Sequence, residues 1–382
     1  MSHLIIMKLK SIQYKEYDGQ DNEWWLEDCL LSDVNLMVGK NATGKTRTLN
    51  ILFALSNFLA GDLKPDFDSS SFDAIFEDHG KEVKYILRCE NQTVIQEQLI
   101  QDGRTLLQRR GLDSKGKIFA YELNTDINFQ PPANELAVVT RRDAIQHPFL
   151  EKLYNWGQSA RYFRFGTPMG QDHLAISDWW EKELNLKNSN QAVAIFKKGE
   201  SEYGKEYIQL IIEDMRNIGY ELEELSLYEA EGRVHFEAPR ITYGINLKEK
   251  SLEAITFHHN ISTGMFRVLS LFIQLNYSLL ASLPSCIIID DIGEGLDYSR
   301  SSALIESLIK KMKGTKMQII MSTNDRFVMN ALPLEYWSVI QRFPQKSMIY
   351  NYFNSKDLFD KFELTGLSNF DFFSSNYFLK KL

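Results

Sequence analysis

The chain has 382 residues, 44% of them hydrophobic and 25% charged, with a formal net charge of -8. That is ordinary globular usage with length for a substantial core, and the acidic balance excludes large nonspecific affinity for DNA, which needs clustered Lys and Arg. No apolar run approaches the roughly 20 residues of a membrane span, and Cys29, Cys89 and Cys286 stand far apart without metal-ligand spacing, as expected in a reducing cytoplasm.

Met1 to Lys8 reads as a first strand rather than a signal peptide. Tyr14, Tyr17, Trp24 and Trp25 follow, either as strand aromatics packed in a core or as a surface on which adenine stacks. Leu36-Met37-Val38 is strand-like, and Thr48 to Leu55 has helical apolar spacing. Between them, Gly39-Lys40-Asn41-Ala42-Thr43-Gly44-Lys45-Thr46 matches G-x-x-x-x-G-K-[ST]. In that loop backbone amides cradle phosphates, the Lys meets the terminal ones, and the Thr hydroxyl reaches Mg²⁺. The candidate ATP-binding set is therefore Gly39, Asn41, Ala42, Thr43, Gly44, Lys45, Thr46 and the adjoining Arg47.

Glu82 to Arg88, Thr93 to Ile95 and Lys117 to Tyr121 suggest antiparallel strands. Glu135 to Thr140 reads as a strand ahead of Gln146, and Gln158 follows. Asp172 to Asn217 is mainly helical and polar, and Leu225 to Phe236 is strand-like. His258 and His259 lack any accompanying ligand cluster and read as structural or exposed. Ile261-Ser262-Thr263-Gly264-Met265-Phe266-Arg267 opens the apolar helical run Val268 to Ile273, with Ser262 suited to cap it.

Ile287-Ile288-Ile289-Asp290-Asp291 is a buried strand ending in carboxylates. Phosphoryl transfer needs one carboxylate in the Mg²⁺ shell and a second group to orient the attacking water, which suits Asp290 to the first role and Asp291 to the second. Ser301 to Met312 has an amphipathic helical pattern, and Met317 to Thr323 is a second buried strand, followed by Asn324. Four basic clusters, Arg109-Arg110, Arg141-Arg142, Lys197-Lys198 and Lys310-Lys311-Lys313, read as solvated surface. Phe370 to Phe373 and Tyr377-Phe378 read as a tail packed against the rest.

Taken in this order, the motifs resemble an ABC-type ATPase head of the SMC, RecF and overcoming-lysogenization-defect group. Leu296 and Asp297 fall six and seven positions after Asp290, as in such heads. The resemblance implies an α/β P-loop NTPase fold with a mixed central sheet, an antiparallel β-lobe and an inserted, mostly helical lateral lobe. It divides the chain into residues 1–160, 161–250 and 251–382, the outer two forming the head. It further implies that Lys45 holds the β- and γ-phosphates, that Thr46 and Asp290 hold Mg²⁺, and that Asp291 holds the water. Ser262 and Gly264 would then form a signature loop closing on the nucleotide of an opposing copy, beside Asp297. Gln146, or its rival Gln158, would be the glutamine linking the ATP core to the lateral lobe. Asn324 occupies the place of a switch His, where Asn can hydrogen-bond but cannot exchange a proton near neutral pH. With Lys45, Asp291 and Asn324 as its catalytic residues, such a head implies ATP as substrate with Mg²⁺ and a homodimer or larger assembly. A cytoplasmic setting is implied, without a membrane. The implied role is a nucleotide-dependent switch on a separate toxin or nuclease in antiphage defence, like standalone ATPases of Septu-type, retron-associated and PARIS-type systems. A RecF-like DNA clamp and a non-hydrolysing ATP sensor are the alternatives, and nucleic-acid binding stays open.

Overall fold

The computed structural model describes residues 7–176, 184–232, 240–283, 286–315 and 317–380. In chain order these form β1 (Met7–Glu16), β2 (Trp24–Leu30), β3 (Val34–Val38), α1 (Lys45–Ala60), β4 (Ser69–Asp78), β5 (Lys81–Glu90), β6 (Thr93–Gln101), β7 (Arg104–Arg110), β8 (Gly116–Ala120), β9 (Thr125–Phe129), α2 (Ala137–Thr140), α3 (Pro148–Ser159) and β10 (Arg161–Arg164). The second half contributes β11 (Ala175–Ile176), α4 (Ala192–Asn217), β12 (Leu222–Gly232), β13 (Arg240–Glu249), β14 (Thr256–Phe257), α5 (Thr263–Leu280), β15 (Cys286–Asp290), α6 (Tyr298–Met312), β16 (Gln318–Thr323), α7 (Arg326–Ala331), β17 (Trp337–Arg342), β18 (Lys346–Asn351), α8 (Lys356–Glu363) and α9 (Asn369–Ser374).

Among the described residues one 14-stranded sheet runs β10-β15-β16-β3-β17-β18-β2-β1-β4-β5-β6-β7-β8-β9. Its first five strands are parallel, and β3, β15 and β16 are buried along their whole length, as strands covered on both faces must be. Side chains alternate between the faces: Ile287 and Ile289 join the core formed with α4, α5 and α6, while Ile288 joins the core formed with α1 and α3. Parallel registry sets Val38 opposite Thr323, Ile289 opposite Met321, and Arg164 opposite Asp290. The segments that leave β3, β15, β16 and β10 therefore emerge at one carboxyl edge, the place where open α/β sheets bind ligands.

β18 pairs with β2 in parallel, and from β2 to β9 the sheet is antiparallel. Its hairpins turn at His79-Gly80, Asn91-Gln92 and Asp102-Gly103, where both central residues have positive φ, the geometry that matches strand twist. Glu135 to Thr140 is not the expected strand; its last four residues, Ala137–Thr140, are the short helix α2. The cause lies across the sheet, where the buried Glu97 carboxylate accepts from Ala137 N at 2.8 Å and Val138 N at 3.0 Å and so caps that turn. Arg109, expected at the surface, is fully buried against Glu97 at 3.1 Å and donates to Glu135 O.

β10 pairs with β15, so the span 161–250 begins inside the central sheet. The rest of that span holds α4, interrupted at Gly204 (φ 56, ψ -135), and β11, β12 and β13, which with β14 just beyond it form, among the described residues, a second, 4-stranded antiparallel sheet. The inserted lobe is thus helix on sheet rather than mostly helical, because Leu225, Ile245 and Leu247 need a partner face and find it in the core that contains α4. Leu225 to Gly232 is strand as expected, while 233–236 lie outside the described residues. The C-terminal aromatics pack as expected, with Phe359, Phe362, Phe372 and Phe378 buried. The three cysteines are free and buried, their thiols pushed up to about 12 by burial, which makes them inert. No helix among the described residues is long and apolar enough to cross a membrane.

His258 is buried where the lobe meets α5. Its Nδ1 accepts from Ile245 N at 3.2 Å, which leaves Nε2 to donate to His173 O at 3.2 Å, the neutral tautomer. Burial, aided by His259, holds its pKa below the ordinary 6.5. The unfolded imidazole therefore takes up a proton before the folded one does, so the stability it contributes is full above pH 6.5 and is lost on acidification below that value. The thermal midpoint should fall between pH 7 and pH 5.5, and His258→Asn should show a shallower pH slope over that range, which is checked by melting both proteins in matched buffers.

Candidate nucleotide site

The loop after β3 is closed by steric fit. A Cβ on Gly39 would lie 2.6 Å from Ile340 Cγ2 and 2.6 Å from Thr43 Oγ1, and Gly44 takes φ 109, a backbone form that other residues resist. Thr43 Oγ1 donates to Lys40 O at 2.8 Å, Ser347 Oγ to Thr43 O at 2.9 Å, and Arg342 Nη1 to Ala42 O at 3.2 Å. α1 starts at once with no side-chain cap and no acidic residue in its first turn, which leaves its first amides and its dipole for an anion. Lys45 Nζ folds back onto Gly39 O at 2.7 Å and Lys40 O at 3.3 Å. Burial lowers its pKa against the opposing pull of Asp291 and Asp290.

The carboxylates meet this loop from β15. Asp290 Oδ1 accepts from Thr46 Oγ1 at 3.2 Å and from Ser322 Oγ at 2.5 Å. Asp291 turns the chain with φ 54, its N–H donating to Ser322 Oγ at 3.0 Å, and its Oδ1 accepts from Asn324 Nδ2 at 3.2 Å. Burial first, then Asp290 and Glu294, raise the Asp291 pKa against Lys45. Ser322 is a site residue that the sequence reading missed. Its one signal is a hydroxyl at the end of the apolar run Ile319 to Met321, two positions before Asn324.

Lys45, Thr46, Arg47, Asp291, Asn324 and Arg342 share the walls of a cavity of about 450 Å³ with Trp24 and the loop. That is within the usual size for a small-molecule site. Among the described residues no cluster of three His, Cys, Asp or Glu could hold a metal alone. Thr46 and Asp290 fit a Mg²⁺ that brings phosphate oxygens of its own, the usual habit of this cation.

Trp24 and Tyr14 are core residues, each about 5% exposed. The Trp24 face is covered by the Arg47 guanidinium at 3.8 Å, which is held in turn by Glu16, so no base stacks directly on that face. Ser262, Gly264 and Asp297 do not line the cavity of their own chain. Ser262 is exposed and caps α5, its Oγ accepting from Met265 N at 3.3 Å. Asp297 caps α6 through Arg300 N at 3.0 Å and pairs with the Arg300 guanidinium at 2.6 Å. Gln146 sits by Tyr121 on the antiparallel lobe, its carbonyl accepting from Tyr121 N, and Gln158 donates to Ala60 O at 3.1 Å, so neither reaches the cavity. The segment that leaves β10 beside Asp290 instead leads to Gln171.

A phosphate-binding loop, paired carboxylates at the neighbouring strand end and a mixed sheet with an antiparallel wing define a P-loop ATPase head of the ABC type. The chain belongs to the family described as "AAA domain, putative AbiEii toxin, Type IV TA system", whose model matches residues 34–330. Its fold is shared with the SmcHead bound to the C-winged helix domain of ScpA, at a TM-score of 0.51 and 12% identity over 90% of this chain and 97% of that one. An Smc head domain with an extended coiled coil bound to the C-terminal domain of ScpA, derived from Pyrococcus furiosus, gives 0.50 and 12% over 94% and 100%. The recombination mediator protein RecF gives 0.46 and 13% over 91% and 99%. No curated protein matches the chain.

Proposed function

We propose that two copies of this chain bind Mg²⁺-ATP between them and hydrolyse it slowly, as a nucleotide-dependent switch. The carrying observation is the gathering of Lys45, Thr46, Asp290, Asp291 and Asn324 at one sheet edge, while Ser262 stays exposed and outside its own cavity. A helix start that carries an exposed Ser and lies outside its own cavity is available to a second copy's nucleotide. Lys45 leaves the carbonyls it now bonds and meets the β- and γ-phosphates, and Thr46 and Asp290 hold the cation, which neutralises charge on the phosphate oxygens. Asp291 orients the water that attacks the γ-phosphorus as the bond to the β-phosphate oxygen breaks, giving ADP and phosphate. Asn324 steadies Asp291 and moves no proton, so the water's proton passes to Asp291 or to the phosphate, and slow turnover is the expectation.

Lys45→Ala removes charge-assisted bonds worth about 1.5–3 kcal/mol each and should weaken ATP binding by on the order of 10- to 100-fold. Titration calorimetry with Mg²⁺-ATP reads this directly, and unchanged affinity would contradict the site. The family's description, a putative toxin of a type IV TA system, fits a role in controlling a toxic activity, and we extend it to the switch of a separate effector in antiphage defence. Copurification of a neighbouring gene product in an ATP-dependent manner tests that role. In each basic cluster one cation is taken up by an acidic partner, Arg109 by Glu97, Arg142 by Glu151, Lys198 by Glu202 and Lys311 by Asp214, which weakens the DNA-clamp reading.

A further inference from the structure

The first turn of α5 is held by two other loops. Arg267 Nε donates to Thr167 O at 2.9 Å, and its Nη1 donates to Glu294 O at 3.0 Å. Thr167 lies on the segment that leaves β10, and Glu294 lies three residues beyond Asp291. A guanidinium suits this task, because its forked donors reach two carbonyls at once where an ammonium is a single point. The backbone makes room for it. A Cβ on Gly264 would lie 2.3 Å from Gly295 O, and one on Gly295, which has φ +82, would lie 2.8 Å from Arg267 Nη1. From the same β10 segment, Gln171 is 7% exposed and donates to Ile261 O at 2.7 Å, on the other side of Ser262. Two segments remote in sequence thus converge on the residues that flank Ser262.

We propose that Arg267 is a positioning residue that sets Ser262 for the nucleotide of the opposing copy, by tying the first turn of α5 to the loops that follow Arg164 and Asp291. The inference rests on the two-copy reading above. Arg267 does not line the cavity of its own chain, so its loss damages the loop that the chain lends, not the pocket that it owns. A misplacement of about 1 Å at a reacting geometry costs on the order of 100-fold in rate. Arg267→Ala should therefore lose about that much turnover and keep its own Mg²⁺-ATP affinity within about twofold, since the phosphate loop and carboxylates are untouched. Arg267→Lys, with one donor group in place of the fork, should fall between.

The deciding experiment mixes equal amounts of Arg267→Ala and Lys45→Ala, each nearly silent alone. In a mixed pair, the pocket of the first meets the intact Ser262 loop of the second. Half of randomly formed pairs carry one good site of two, so turnover should return to about one quarter of the wild-type rate. Ser262→Arg mixed with Lys45→Ala is the control and should recover likewise. Recovery in both mixtures supports the proposal, and recovery with Arg267→Lys in place of Arg267→Ala supports it independently of how well the Ala variant folds. If the control recovers and neither Arg267 variant does, Arg267 acts on its own pocket and the proposal is overturned. If the control also stays silent, the two-copy reading fails and takes the proposal with it.

Discussion

Asp291→Ala should bind Mg²⁺-ATP with near wild-type affinity and turn it over about 10²- to 10⁴-fold more slowly, the usual cost of removing a group that positions a proton transfer. The argument is positional. Asp291 contacts neither Lys45 nor Thr46 by hydrogen bond; its Oδ1 is bound by Asn324, and its N–H is bound by Ser322. Deleting the carboxylate leaves the phosphate loop and the Asp290–Thr46 pair in place, so binding persists while the water loses its guide. Because hydrolysis is what reopens the pair in this account, the variant should accumulate as an ATP-bound dimer, seen by light scattering in Mg²⁺-ATP. Asp291→Asn keeps the shape and removes the charge, and it should lose turnover to a similar extent. A variant that hydrolyses at the wild-type rate would remove Asp291 from the chemistry.

The second large effect concerns stability. Glu97 and Arg109 are both 0% exposed at their side chains, 3.1 Å apart, and Glu97 also accepts from Tyr85 Oη at 3.0 Å and from the two amides that start α2. Removing one member leaves an uncompensated charge in the core, at about 3–5 kcal/mol. Arg109→Ala and Glu97→Ala should each lower the urea midpoint accordingly. The double variant Glu97→Leu with Arg109→Met should recover much of the Arg109 loss but not the capping of Ala137 and Val138, so recovery stays incomplete. A single variant that melts like wild type would refute the buried-pair assignment.

The parts of the fold that were legible in the sequence are those fixed by local pattern. β3, β15 and β16 are built on the short apolar runs Leu36 to Val38, Ile287 to Ile289 and Ile319 to Met321, and the loop Gly39 to Thr46 has the spacing of a phosphate cradle between a strand and a helix. The misreadings all involve partners distant in the chain. Glu135 to Thr140 has strand-like residues, but Glu97, some 40 residues earlier, turns part of it into a helix by capping two amides. Arg109 sits in a basic pair and reads as surface until Glu97 is seen beneath it. Gln146 follows residues that read as a strand but fold in part as the helix α2, which leaves it away from the cavity; β10, only four residues long, carries the segment that does run beside Asp290. Ser322 gives only a weak signal and Arg267 none, because a hydroxyl in a strand, or a cation on a helix, becomes informative only when the carbonyls and carboxylates it meets are known.

Specific ATPase activity measured across a range of protein concentrations tests the composite site most directly. Two copies sharing each nucleotide predict activity per chain that rises with concentration and levels off where light scattering shows the ATP-bound dimer. Activity per chain that is constant down to concentrations where the protein is a monomer would show that one copy is sufficient, and would contradict the account.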